Sequence, residues 1–151
     1  MLDGQGLFFD GQNDFPSRTD IGAADNELAR AFADIRAQID TEFGNQDWQN
    51  LTGGANGEYP TCLSDGHTGY YVARDEGLTF GIDDQSFPRI LEIVSERAAS
   101  IGYTNVVDSS DDAWFTIDIF NTADGGYIHL TKARGKGLIF QVNSGCRPPA
   151  A

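Results

Sequence analysis

Apolar residues return every three or four positions from Ile21 to Phe43: Ile21, Ala24, Leu28, Phe32, Ile35, Ile39 and Phe43. That step puts them on one stripe of a helix, with Arg30, Asp34, Arg36, Asp40 and Glu42 elsewhere around it. Asp20 or Asp25 is placed to cap the start, and Gly44 suits the end. A second stripe, Phe87, Ile90, Leu91, Val94, Ala98 and Ile101, predicts a helix over about 87–101. Ser86 is its expected cap, Pro88 is tolerated in a first turn, and Gly102 marks the stop.

The remaining pattern has period two and reads as strands. "TGYYVAR" (68–74) and "LTFGI" (78–82) are two candidates, separated by Asp75, Glu76 and Gly77. "TNVVDSS" (104–110) is a short strand. In "WFTIDIF" (114–120), Phe115, Ile117 and Ile119 alternate with Trp114, Thr116, Asp118 and Phe120. "NTADGG" then turns the chain into "YIHLTKA" (127–133), where Ile128 and Leu130 alternate with Tyr127, His129 and Thr131. Gly135-Lys136 suits a two-residue hairpin turn with glycine first, leading into "GLIFQVNSGC" (137–146), where Leu138, Phe140 and Val142 share a face.

The order α-β-β-α-β-β-β-β, with one-sided helices and alternating strands, predicts an α+β fold: an antiparallel β-sheet with two α-helices packed on one face. Residues 23–151 form its single domain. Residues 1–22 contain five Gly or Pro and little periodicity, and read as a flexible tail or spacer, with Leu7, Phe8 and Phe9 tacked onto the body. The Gly- and Asn-rich stretch 45–66 is a long loop that needs pinning, and Trp48, Leu51 and Cys62 are the candidate pins.

Composition narrows the function classes. The chain has 151 residues, 40% of them hydrophobic, including ten Phe, which suits one core and argues against global disorder. No apolar run reaches the roughly 18 residues of a membrane helix. The net charge is −13, with eight Arg and two Lys among the basic residues. A nucleic acid would be repelled, so no nucleic-acid partner is expected. The opening "MLDGQGLFFDGQNDF" lacks the charged and apolar regions of a signal sequence. The protein is therefore either cytosolic or a mature segment that begins after its leader.

Two cysteines stand far apart, Cys62 in the long loop and Cys146 after the last strand. Antiparallel neighbours would bring those ends together, so a Cys62–Cys146 disulfide is expected; two unrelated buried thiols are the alternative. A disulfide favours an extracytoplasmic home. His67 and His129 have no zinc-ligand spacing to the cysteines, and no metal is expected.

Trp48, Cys62, the helix at 87–101, Gly102-Tyr103, "ADGG" at 123–126 and Ser144-Gly145-Cys146-Arg147 are laid out as in a known family. Over about residues 24–148 the chain resembles the LppA-type lipoproteins of mycobacteria and related actinobacteria. The resemblance implies a secreted body tethered to the membrane through an acylated N-terminal cysteine, a disulfide, and no established enzymatic role. The chain departs from that pattern in having no N-terminal Cys, as follows if it begins after the anchor; residues 1–22 would then be the spacer.

Candidate chemistry is sparse. "SDGHTG" gathers Ser64, Asp65 and His67, but residues in one turn rarely build an acyl-transfer triad, and a polar turn is the expected reading. "DSSDD" (108–112) and "DGQND" (10–14) lack the central Gly and terminal Glu of a calcium loop. No phosphate-binding glycine motif or paired carboxylate stands out, and no cofactor is expected. Lys132, Arg134, Lys136 and Arg147 form one basic spot near the last hairpin. Trp114, Thr116, Tyr127, His129 and Thr131 should share the sheet face that the helices leave open. That face, with the loop around Trp48, is the candidate binding surface, although ordinary cross-strand pairing explains the same residues. The expected function is a non-enzymatic cell-envelope domain that binds or scaffolds a protein or envelope component. The alternative is an acidic inhibitor or immunity-type protein docking on a basic partner, and a hydrolase using His67 or His129 ranks third.

Overall fold

A computed structural model describes residues 10–51 and 58–150. Helix α1 (Ile21–Phe43) is followed by strands β1 (Gln49–Leu51), β2 (Thr61–Ser64), β3 (His67–Tyr70) and β4 (Ala73–Thr79). Helix α2 (Phe87–Ala99) then leads into β5 (Asn105–Asp108), β6 (Trp114–Phe120), β7 (Tyr127–Ala133) and β8 (Leu138–Asn143). Six strands make one antiparallel sheet in the order β1-β4-β8-β7-β6-β5, and β2-β3 form a separate hairpin. The α+β class is as expected; the element order is α-β-β-β-β-α-β-β-β-β.

Both stripes bury against one sheet face. Leu28, Phe32, Ile35 and Ile39 of α1 and Ile90, Ile93 and Val94 of α2 pack with Ile117, Ile119, Ile128, Leu130, Leu138, Phe140 and Val142. Each such side chain contributes about 1.5–3 kcal/mol through its removal from water. Asp20 caps α1, its Oδ1 accepting the Ala23 amide at 2.9 Å, and Gly44 ends it at φ 97°. Ser86 stands at the N-cap of α2, as expected, but the side-chain capping bond belongs to the turn before it. Asp83 accepts the Ser86 amide at 2.9 Å, and a 3-10 turn over Asp84–Ser86 leads into the helix, whereas Ser86 makes no capping bond.

The strands before α2 depart most from expectation. Asp75, Glu76 and Gly77 do not separate two strands; they lie inside β4, where a bulge shifts the register between Asp75 and Gly77. Glu76 can be buried in a strand because it points at α1, where Arg36 donates to its Oε1 at 3.1 Å. "TGYYVAR" is split, with Thr68–Tyr70 in the hairpin and Ala73-Arg74 in β4, and "LTFGI" is strand only to Thr79. The β2-β3 hairpin turns at Asp65 and Gly66, both with positive φ (51° and 76°), the backbone of a primed two-residue turn. The β7-β8 turn is one residue earlier than expected. The Lys136 amide donates to the Ala133 carbonyl at 2.8 Å, which places Arg134-Gly135 at the centre with Gly135 at φ 76°.

Residues 10–20 fall in the stretch that reads as a spacer, yet they are packed on the body. The Gln12 and Asn13 amides donate to the Thr122 and Ala123 carbonyls at 2.7 Å each. Phe15 is 4% exposed, and Arg18 is buried beside it. Gly11 allows this approach: a Cβ there would sit 2.5 Å from the Gly125 nitrogen. Leu7, Phe8 and Phe9 lie outside the described residues.

Candidate functional site

The sheet face opposite the helices is built from rows of cross-strand neighbours. One row runs Asp118, His129, Gln141 and Asp75 across β6, β7, β8 and β4. His129 Nδ1 lies 2.5 Å from Asp118 Oδ1, and Gln141 Nε2 donates to Asp75 Oδ1 at 3.0 Å. The next row holds Thr116, Thr131, Ile139 and Leu78. On the other side, Phe120 faces Tyr127, ring centroids 6.2 Å apart, and Tyr127 faces Asn143. Trp114 pairs with Ala133 at one end of the face and is 48% exposed. Thr116, Tyr127, His129 and Thr131 are half-buried by their neighbours in the sheet. The structure thus brings together Trp114, Thr116, Tyr127, His129 and Thr131, with aromatic side chains at both ends of a polar centre.

Trp48 does not join them. Its indole stacks with Phe140 at 5.7 Å on the helix side of the sheet, and its Nε1 donates to Asp40 Oδ1 of α1 at 3.0 Å. Gly77 makes room, because a Cβ there would lie 2.9 Å from the indole. Trp48 is a pin for its loop, as its candidate role there suggested, and is removed from the candidate surface.

The basic spot is also dispersed. Lys132 is buried on the helix side and donates to Asp84 Oδ1 at 2.6 Å. Arg134 lies over the Phe115 ring, 4.0 Å from its centroid. Arg147, 2% exposed, donates to the carbonyls of Ser144, Thr19 and Gly125 at 2.7, 3.1 and 3.0 Å, with Asp124 at 3.8 Å. It ties the N-terminal segment, the β6-β7 turn and the C-terminus together. Burial opposes charge on Asp124, but hydrogen bonds from Asn13 and Thr19, with Arg147 nearby, outweigh it and hold the carboxyl below its ordinary value.

A second buried polar cluster had no sequence signal beyond its residue types. Arg74 of β4 pairs with Asp25 of α1 and with Glu76 Oε2 at 2.9 Å, while the Tyr59 hydroxyl donates to Asp25 Oδ2 at 2.8 Å. Burial works against charge on Arg74, but the two carboxylates more than offset it, so its guanidinium stays above its ordinary value. Asp25 is therefore an ion-pair partner and not a cap.

Ser64 and His67 face each other in the hairpin register, but their functional groups are engaged elsewhere. Ser64 Oγ is buried and accepts from Arg18 at 2.9 Å, and the His67 ring stacks on Phe15 at 5.0 Å. In the acidic loop, Asp108 accepts the Ser110 amide, and Asp111 accepts those of Ala113 and Trp114, all at 2.9 Å. Cys62 and Cys146 are joined as a disulfide, Cα atoms 5.9 Å apart. Beside it, Tyr70 and Arg147 exchange backbone hydrogen bonds at 2.9 and 2.8 Å, docking the hairpin on the C-terminal segment.

Two solved structures share this fold. A DUF4853 family protein from Actinomyces odontolyticus is 20% identical, with a TM-score of 0.63 over 91% of this chain and 74% of that one. LppA from Mycobacterium tuberculosis is 17% identical, with a TM-score of 0.63 over 87% of this chain and 79% of that one. Among curated proteins none matches. The family described as "Lipoprotein confined to pathogenic Mycobacterium", LppA, matches residues 9–150, so the chain belongs to the LppA lipoprotein family.

Proposed function

We propose that the chain is a non-catalytic binding domain of the cell envelope, which recognises a protein or another envelope component through the sheet face opposite the helices. A lipoprotein family implies an envelope-associated, extracytoplasmic protein, and a disulfide is consistent with an oxidising compartment. No helix among the described residues is long and apolar enough to cross a membrane. Attachment through a lipid on an N-terminal cysteine, outside these residues, is part of the proposal.

The observation that carries the reading is the uncovered face itself. Antiparallel sheets with one bare face normally turn simple polar residues to water. This face instead presents Trp114, Phe120 and Tyr127 around Asp118, His129, Thr116 and Thr131. Aromatic side chains with polar tips nearby are enriched where proteins recognise partners. The test is a photo-crosslinking residue at Thr131 in the native envelope, with the same residue at exposed Ala33 of α1 as control. Specific adducts from position 131, lost with Trp114→Ala, are expected; equal adducts from both positions would refute the reading.

A second reading, an inhibitor or immunity-type protein docking on a basic partner, is favoured by where the cations go. Arg36, Arg74, Arg147 and Lys132 are paired with carboxylates inside the body, and the exposed Arg89 and Arg97 are paired with Glu42 and Asp34 at the surface, so much of the net charge of −13 stands uncompensated. Such docking would weaken steeply with salt, which calorimetry against candidate basic proteins measures.

A further inference from the structure

The two edges of the six-stranded sheet are built differently. β1 is three residues long, and Asn50 within it has φ 57°, a left-handed kink that spoils it as a template. β5 has no such kink, and all four of its residues are exposed. The Ser109 amide donates to the Thr116 carbonyl at 3.0 Å, in line with the pairing of Val107 with Asp118 and Asn105 with Phe120. Bonding and non-bonding positions alternate in an antiparallel ladder. The N–H and C=O groups of Val106 and Asp108 therefore point away from β6.

Among the described residues no strand lies beyond them. Sheet edges are usually blunted by lysine, proline, a bulge or a covering element. Asn105-Val106-Val107-Asp108 contains neither lysine nor proline. Val106, 44% exposed, faces the helix side, and Val107, 41% exposed, faces the open side. An incoming strand would find an apolar contact on each side.

Charge selects the partner. Asp108, Asp111 and Asp112 are exposed at the end of β5 and in the loop after it, with Arg134 bonded nearby to the Asp111 carbonyl at 2.9 Å. A second copy of the chain would bring another net charge of −13 to the same edge, whereas lysine or arginine side chains would meet complementary charge.

We propose that the outer edge of β5 is a docking site for an extended, basic polypeptide segment, added as an antiparallel strand. Its outward amides would bond Val106 and Asp108, an apolar residue would lie against Val106 or Val107, and its cations would lie over Asp108, Asp111 and Asp112. This site is distinct from the open face, and neither depends on the other.

The test uses the full chain and a synthetic peptide of alternating lysine and valine. Controls are its glutamate-valine counterpart and a version with alternate amides N-methylated. Amide shifts should centre on residues 104–109, and the Val106 and Asp108 amides should gain protection from hydrogen exchange. Val106→Pro removes an outward N–H that the β5-β6 ladder does not use, so the fold should persist. It should weaken binding about tenfold or more, and the combination Asp108→Asn, Asp111→Asn and Asp112→Asn should weaken it roughly threefold to tenfold. The N-methylated and acidic peptides should not bind. Equal affinity of the N-methylated peptide, shifts elsewhere, or no shifts at all would overturn the proposal. So would protection of β5 in the free protein that rises with concentration, the mark of self-pairing.

Discussion

Breaking the Cys62–Cys146 disulfide should cost far more than either cysteine's own packing. The bridge spans 84 residues of sequence. In the chain-entropy relation, restricting the unfolded chain over that span stabilises the fold by about 4.6 kcal/mol at 25 °C. The native side of the balance changes little, because hydrogen bonds between Tyr70 and Arg147 and from Arg18 to Ser64 still hold the hairpin. Cys62→Ser, Cys146→Ala and the double variant all lack the same bridge. Urea unfolding should therefore show each single variant losing roughly 3–5 kcal/mol and the double losing about the same, a strongly non-additive cycle. The urea slope should rise, since the uncrosslinked unfolded chain exposes more surface. A loss below about 1 kcal/mol, or additive losses, would show that the bridge does not restrain the unfolded chain as argued.

Three further outcomes follow from the contacts. Asp25→Ala leaves the Arg74 guanidinium buried with Glu76 alone and should cost about 3–5 kcal/mol by denaturant titration; a loss below about 1 kcal/mol would mean the cluster is wet. The two tryptophans should separate cleanly by thermal or urea melts: Trp48→Ala should cost about 2–3 kcal/mol, and Trp114→Ala should stay within about 0.5 kcal/mol. Because the Asp124 carboxyl is held below its ordinary value of 3.8 in the folded state, its contribution is present above that value and fades as pH falls through the lower folded one. Asp124→Asn should therefore flatten the acid limb of the stability curve below about pH 4, and an unchanged limb would contradict the assignment.

The parts of the fold legible in the sequence are those set by local periodicity. The α1 and α2 stripes and the alternation in β6, β7 and β8 each mark a buried face, and those faces meet in one core. The region before α2 was hidden because its pattern is completed by distant residues. Asp75-Glu76-Gly77 has turn composition, yet Arg36 of α1 lets Glu76 enter a strand. The Asp65-Gly66 hairpin had a usable turn signal, but its flanks lack the alternation that usually accompanies one. Likewise, Lys132 and Arg147 look like surface cations until Asp84 and three carbonyls claim them. The candidate surface was readable as a face because register follows from period two; Trp48 was not, since nothing local says which side of the sheet a loop indole packs on.

The claim that the sheet face opposite the helices is bare is open to one direct measurement, paramagnetic relaxation from a soluble agent in the isolated protein. The Thr116, Thr131 and Ile139 methyls should relax markedly faster than those of Ile117, Leu130 and Leu138, which lie in the core. Equal, slow relaxation of both sets would mean that the face is covered and would contradict its assignment as the recognition surface.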